Sequence, residues 1–183
     1  MRARRPVPAG ERAQIWHRLG IPADYARTRR LPVQREARSL VSIGHSPAGR
    51  ILKLAPRAAA AWTKLNAAAA TAGIHLQPIS GFRSMAYQAG IIRRRLARGE
   101  RLDDILHVLA APGCSEHHTG RALDLATTDD WALEERFART RAFRWLVANA
   151  RRFGFHLSYP KGNRHGIVHE PWHWCWKRSR NRG

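Results

Sequence analysis

The order of segments along the chain predicts an α+β fold, with a small, mostly antiparallel sheet and helices packed around it. Two observations carry this. Helical patterns fill the first part and the middle of the sequence, and short extended segments return late. Glycine and proline punctuate the joins between them.

Residues 1–39 show no sustained period and read as a basic N-terminal arm or irregular lead-in, with Arg2, Arg4 and Arg5 followed by Arg27, Arg29 and Arg30. Residues 40–183 form the domain that follows. A helix is predicted from Pro56, which suits a first-turn position, through Trp62, Leu65 and Ala69 to a stop at Gly73. Ile74 to Ile79 reads as a short strand that Pro78 pushes to an edge or a strand end. A second helix starts near Ser84 and runs through Tyr87, Ile91, Ile92 and Leu96 to Gly99, turning Arg93, Arg94, Arg95 and Arg98 mostly to solvent. A third covers Leu102 to Ala110, with Asp103 and Asp104 at its positive end. Pro112 and Gly113 open a loop, and Ala122 to Leu125 reads as a strand. Phe143, Leu146, Val147, Ala150 and Phe153 mark an amphipathic helix capped by Gly154. Two extended pieces close the chain, Phe155 to Tyr159 and Ile167 to Trp176.

With 183 residues and 44% hydrophobic content, the chain suits one core better than two independent domains. It has no uninterrupted apolar run of membrane-spanning length and no apolar stretch of a signal peptide near its start, so a cytoplasmic location is the default expectation, with action on the envelope after release or export. The formal charge of +20 attracts polyanions at low ionic strength. Anionic envelope polymers such as teichoic acids or lipopolysaccharide are candidates, nucleic acid a weaker one, and a merely solvated arginine-rich surface carries equal weight. Two cysteines, Cys114 and Cys175, are too few for a disulfide framework and form no CxxC pair.

Chemistry concentrates in two segments, SEHHTGRALD from Ser115 to Asp124 and EPWHW from Glu170 to Trp174. They offer His117, Asp124 and His173, two imidazoles and a carboxylate, with Glu170 left over. A catalytic zinc takes three protein ligands of this kind and keeps a fourth position open, while an unligated carboxylate beside it can move protons. A single histidine is more often structural than a ligand, so the joint pattern carries the reading. Gly120 and Ala122 are small enough to let the backbone turn close to the metal. Adjacent side chains in an extended segment point opposite ways, so His117 and not His118 is the expected ligand. Trp172, Trp174 and Trp176 alternate as one aromatic face of a strand would, with core packing the default explanation.

The pattern SxHxxGxAxD followed by ExWH resembles the signature of the zinc D-Ala-D-Ala carboxypeptidases of the VanY type, which share a fold with hedgehog and related D,D-peptidases. Ser115, His117, Gly120, Ala122, Asp124, Glu170, Trp172 and His173 all match it. Upstream, SGFRS from Ser80 to Ser84 with Gln88 following is similar to the family's SGYRS segment, with Phe82 for the usual tyrosine. The FGF and YP pieces at Phe153 to Phe155 and Tyr159 to Pro160 fit as well, so the resemblance spans roughly Leu40 to Trp176. It implies a zinc peptidase domain over 40–183. His117, Asp124 and His173 would hold zinc, Glu170 would serve as general base and acid, and Arg83 would stabilise the oxyanion. Ser115 and Gln88 would bind substrate, a peptidoglycan stem peptide or precursor ending in D-Ala-D-Ala. The stretch Arg164 to Glu170, RHGIVHE, departs from relatives that carry a tyrosine before the glutamate. Two rival readings stand beside this one: an endolysin-type L-alanyl-D-glutamate peptidase of the same fold, and a non-catalytic polyanion-binding module.

Overall fold

The computed structural model describes residues 9–128 and 130–177, so Arg2, Arg4, Arg5 and the basic tail after Lys177 lie outside the described residues. The segment that reads as an irregular lead-in carries two helices, α1 (Ala9–Leu19) and α2 (Tyr25–Thr28). Its apolar side chains are few but buried: Ile15, Trp16, Ile21, Tyr25 and Leu31 pack with Met85, Ile92, Ile105 and Leu106. Trp16 also donates its indole N–H to the carbonyl of Pro112 at 2.7 Å. The arginines interspersed in this stretch mask its packing pattern in the sequence, and two of them, Arg12 and Arg29, are themselves half-buried, lying over the Trp16 and Tyr25 rings.

Next comes an antiparallel hairpin of β1 (Val41–His45) and β2 (Ile51–Leu54), which the sequence pattern did not disclose. Strand β1 is largely exposed on both faces and so lacks the alternation that announces a half-buried strand. Helix α3 (Pro56–Thr71) starts on its proline and buries Ala58, Ala59, Trp62, Leu65 and Ala69, a stripe at helical spacing. Its end is fixed by Gly73 in the left-handed region, φ 68°. Strand β3 (Leu76–Ser80) follows, then α4 (Met85–Ala97), whose N-cap Ser84 accepts from the Tyr87 N–H, and α5 (Leu102–Val108). Strand β4 (Ala122–Thr127), helix α6 (Arg141–Asn149), strand β5 (Phe155–Leu157) and strand β6 (His173–Trp176) complete the order. A 3-10 turn, Ala150–Phe153, extends α6 to Gly154. The last strand is shorter than the extended run from Ile167 suggests, because Pro171 and Trp172 sit in a turn.

The main sheet has the order β3-β4-β6-β5 and is antiparallel throughout. Pro78 lies on the edge strand β3, where its missing N–H costs least. One face of the sheet carries a core that includes Leu123, Leu125, Phe155 and Trp174 against Trp62, Leu65 and Leu146. Because strand side chains alternate between faces, burying Leu123 and Leu125 in that core turns Asp124 to the opposite face. Burying Trp174 turns His173 and Cys175 to that same side. It is the side on which Tyr159, a member of the second core, packs against His173 with ring centroids 4.9 Å apart. The candidate site therefore sits between the sheet and the second, mainly helical core. Both cysteines are free and buried.

Candidate metal centre

Three side chains with potential donor atoms meet at this seam. Asp124 and His173 are cross-strand partners in the β4–β6 register, so their side chains share a face and lie close. His173 Nδ1 is 3.1 Å from Asp124 Oδ1. His117 comes from the 3-10 turn Glu116–Thr119 just before β4, and its Nε2 lies 3.2 Å from the same Oδ1. Donor atoms of the three residues all fall within 4.8 Å of one another, and all three side chains are buried.

The arrangement fits a cation. His117 Nδ1 faces the Gly81 carbonyl at 2.6 Å, and a carbonyl only accepts, so Nδ1 carries the hydrogen. Burial and the Arg83 guanidinium push this imidazole down to about 4, which leaves it neutral and Nε2 bare at ordinary pH. A bare nitrogen and a carboxylate oxygen at 3.2 Å repel unless something positive lies between them. Burial alone would raise Asp124, yet the hydrogen bond from His173 and the charge of Arg83 hold it well below the usual carboxylate range. His173 is opposed by burial but pulled up to about 10 by its hydrogen bonds to Asp124 and Glu116, so the cluster stabilises positive charge in the absence of metal. Two nitrogens and a carboxylate oxygen are the donor set of a catalytic zinc.

Glu170 stands beside this cluster. It is buried, and burial pushes it up to about 7. Its Oε2 is 3.8 Å from His173 Nδ1, an ion-pair distance beyond hydrogen-bond length, so the carboxylate is not committed to a ligand. Arg83 reaches the other side: its Nη2 is 3.4 Å from Asp124 Oδ2. Its Nε is buried without an acceptor among the described residues, a donor aimed at something else.

The turn that carries His117 is stitched to the loop after β3 at three points. They are His117 Nδ1 to Gly81 O, the Arg83 N–H to His117 O at 3.3 Å, and His118 Nδ1 to Arg83 O at 2.6 Å. His118 also accepts from the Gly113 N–H at 3.0 Å, so both its ring nitrogens are used and neither is free for a metal. The segment is a 3-10 turn and not extended, so the alternation that favoured His117 over His118 in the sequence does not apply to it. The role of Gly120 differs as well. Its left-handed φ of 64° ends the turn, and a Cβ there would fall 2.8 Å from the Ala55 nitrogen. The glycine admits close packing against the start of α3, not approach to a metal.

Ser115 is buried, and its hydroxyl caps the 3-10 turn by accepting from the His117 N–H at 3.4 Å. Gln88 is buried too and donates Nε2 to the Ala110 carbonyl at 2.8 Å, tying α4 to the loop after α5. The geometry gives both a structural task. One contact had no counterpart in the sequence reading: Glu116 Oε2 lies 3.0 Å from His173 Nε2. Burial would raise this carboxyl, but the hydrogen bond and the charge of His173 bring it down to about 2. The glutamate is visible in the motif as the residue before His117. Nothing in the sequence indicates that it reaches His173, 57 positions away.

Comparison with known proteins agrees with this geometry. The family described as VanY, D-alanyl-D-alanine carboxypeptidase, matches residues 51–179. YodJ of Bacillus subtilis is 37% identical over 111 residues, covering 58% of this chain and 40% of that protein, so the chain spans well under half of that relative's length. Among solved structures, the LdcB LD-carboxypeptidase superimposes with a TM-score of 0.70 at 28% identity, over 79% of this chain and 71% of the other. VanYB in complex with D-alanine-D-alanine gives 0.61 at 26% identity over 79% and 80%. A mutant VanY from a VanB-type resistance cassette, in complex with Zn(II), gives 0.61 at 26% over 80% and 82%. On this match, and on the donor cluster that its residues build, the chain belongs to the VanY family of D-alanyl-D-alanine carboxypeptidases.

Proposed function

We propose that the chain is a zinc-dependent D,D-carboxypeptidase that removes the terminal D-alanine from peptidoglycan stem peptides or precursors ending in D-Ala-D-Ala. The observation that carries this is the meeting of His117, Asp124 and His173 next to a buried glutamate that ligates nothing. VanYB, a structural neighbour, holds D-alanine-D-alanine, and a VanY neighbour holds Zn(II), which supports both halves of the reading.

His117 Nε2, Asp124 and His173 Nδ1 would hold the ion. Zinc in such a site supplies Lewis acidity, polarising the scissile carbonyl and acidifying water. Glu170 takes the proton of the attacking water and returns it to the amine of the departing D-alanine. Its position near 7 suits a group that must both accept and donate a proton near neutrality. Arg83 presents a guanidinium, and its Nε–H, which has no acceptor among the described residues, can hold the developing oxyanion or the substrate's terminal carboxylate. Gln88 and Ser115 shape the loops around that position, and any contact they make with substrate is part of this proposal.

A second reading is favoured by the fit to LdcB, an LD-carboxypeptidase. One experiment separates the two: the zinc-loaded protein is given a pentapeptide stem ending in D-Ala-D-Ala and, separately, the tetrapeptide stem. Free D-alanine from the pentapeptide alone supports the D,D reading, and release from the tetrapeptide alone supports the other. A larger peptide fragment points to an endopeptidase instead. No helix among the described residues is long and apolar enough to cross a membrane. The groove lined by Arg57, Lys64, Arg151, Arg152 and Lys177, with Phe153 and Trp176 at its wall, suits contact with anionic envelope polymers, and its occupancy would fall steeply with salt.

A further inference from the structure

The two histidines of the cluster present opposite nitrogens to the same point. His117 offers Nε2 because the Gly81 carbonyl occupies its Nδ1. His173 offers Nδ1, and its Nε2 is occupied by Glu116 at 3.0 Å. A neutral imidazole has one N–H and one bare nitrogen, and the partner of the N–H decides which nitrogen is bare. For His117 that partner is a backbone carbonyl, fixed by the chain. For His173 it is a side chain that could have been otherwise.

We propose that Glu116 is a positioning residue: its carboxylate fixes His173 with hydrogen on Nε2 and Nδ1 toward the metal, and offsets the charge of the bound cation. The inference rests on the zinc reading of this site. Its placement supports the role. Glu116 opens the 3-10 turn whose next residue is His117, so one turn delivers a ligand and the group that orients the other histidine ligand across the sheet. The Glu116 side chain is only 18% exposed, which a residue serving merely to start a surface turn would not require. A divalent cation beside Asp124 and Glu116 makes a neutral set, leaving Glu170 uncommitted. Carboxylates that accept from a ligand histidine in this way raise its basicity and hold its ring, and their loss lowers metal affinity by roughly 10- to 100-fold.

The test measures zinc affinity by competition with a chromophoric chelator, in wild type, Glu116→Ala and Glu116→Gln. A 15N spectrum of the zinc-loaded proteins reports which nitrogen of His173 carries hydrogen. Glu116→Ala is expected to bind zinc about 10- to 100-fold more weakly. Glu116→Gln keeps an acceptor oxygen without the charge, and so falls between it and wild type while retaining the Nε2–H form of His173. Zinc affinity in Glu116→Ala within twofold of wild type overturns the proposal. Should that variant fail to fold, affinity within twofold in Glu116→Gln does so. A wild-type chain that binds no zinc would instead refute the proposed function, so the two failures are distinguishable.

Discussion

Gly81 tests whether the site depends on the fit between two backbones, because its substitution alters no chemically active group. Its φ is not in the left-handed region, so alanine suits the local conformation and would by itself stabilise the chain by about 0.4–1 kcal/mol through the unfolded state. Against that, a Cβ on Gly81 falls 2.7 Å from the Lys53 carbonyl oxygen at the end of β2. That oxygen is already held by the Phe82 N–H at 2.8 Å, so it cannot turn away without losing a bond. The loop and β2 must separate by roughly 0.7 Å to reach ordinary contact. Moving the loop moves the Gly81 carbonyl, which sets the orientation of His117, and moves Arg83, whose guanidinium faces Asp124. A misplacement of about 1 Å at a catalytic group can cost 100-fold, so Gly81→Ala is expected to lose roughly 10-fold or more in kcat/KM and to bind zinc more weakly. The assay pairs chelator competition with D-alanine release from a pentapeptide, alongside thermal unfolding. Wild-type zinc affinity and turnover in Gly81→Ala would refute the claim that this loop has no slack.

Glu170→Gln should retain near-stoichiometric zinc by elemental analysis while losing about 100- to 10,000-fold in kcat, the range for a lost general base, whereas His173→Ala should lose metal and activity together. Full turnover in Glu170→Gln would remove that residue from the mechanism. Chelation should lower stability: zinc present at 100 times its dissociation constant adds about 2.7 kcal/mol, read as a fall in Tm on stripping the metal. Tyr25 gives a pH dependence remote from the site, since burial pushes its phenol up from 10.0 to about 12. A pKa raised on folding gives a contribution complete below pH 10 and lost as pH climbs through 12, about 3 kcal/mol in all. Denaturant unfolding between pH 9 and 12 should show this extra loss in wild type and not in Tyr25→Phe.

Much of the candidate site was legible in the sequence because its chemistry is local. SEHHTGRALD and EPWHW name His117, Asp124, Glu170 and His173, and the structure brings all four together. Helices α3, α4 and α6 were legible for a similar reason, since each carries a periodic apolar stripe between a start signal, Pro56 in α3 and a capping hydroxyl in the other two, and a glycine. Features that depend on partners far along the chain were not. Helix α1 buries Ile15 and Trp16 against residues of α4 and α5, and two adjacent apolar residues among polar ones show no helical period. Strand β1 leaves most of its side chains exposed, and its place is set by pairing with β2. The roles of Gly120 and Glu116 depend on Ala55 and His173, and no spacing rule links those positions.

The strand pattern and the ligand set are a single constraint. On β4 the sequence Leu123, Asp124, Leu125 puts two leucines in the core and the carboxylate on the other face. On β6 Trp174 enters the same core and turns His173 outward, opposite Asp124. Strand side chains alternate with a period of two, so a slip of one residue in the β4–β6 register would point every side chain of one strand to the wrong face. Such a slip would drive His173 into the hydrophobic core and push Trp174 out of it into the crowded polar seam, forfeiting up to about 1.5–3 kcal/mol of apolar burial for that one side chain before the stranded imidazole is counted. The hydrophobic pattern that stabilises the sheet thus also fixes the pairing that brings the Asp124 and His173 donor atoms within 3.1 Å. The stitched turn bearing His117 then has only to deliver the third ligand.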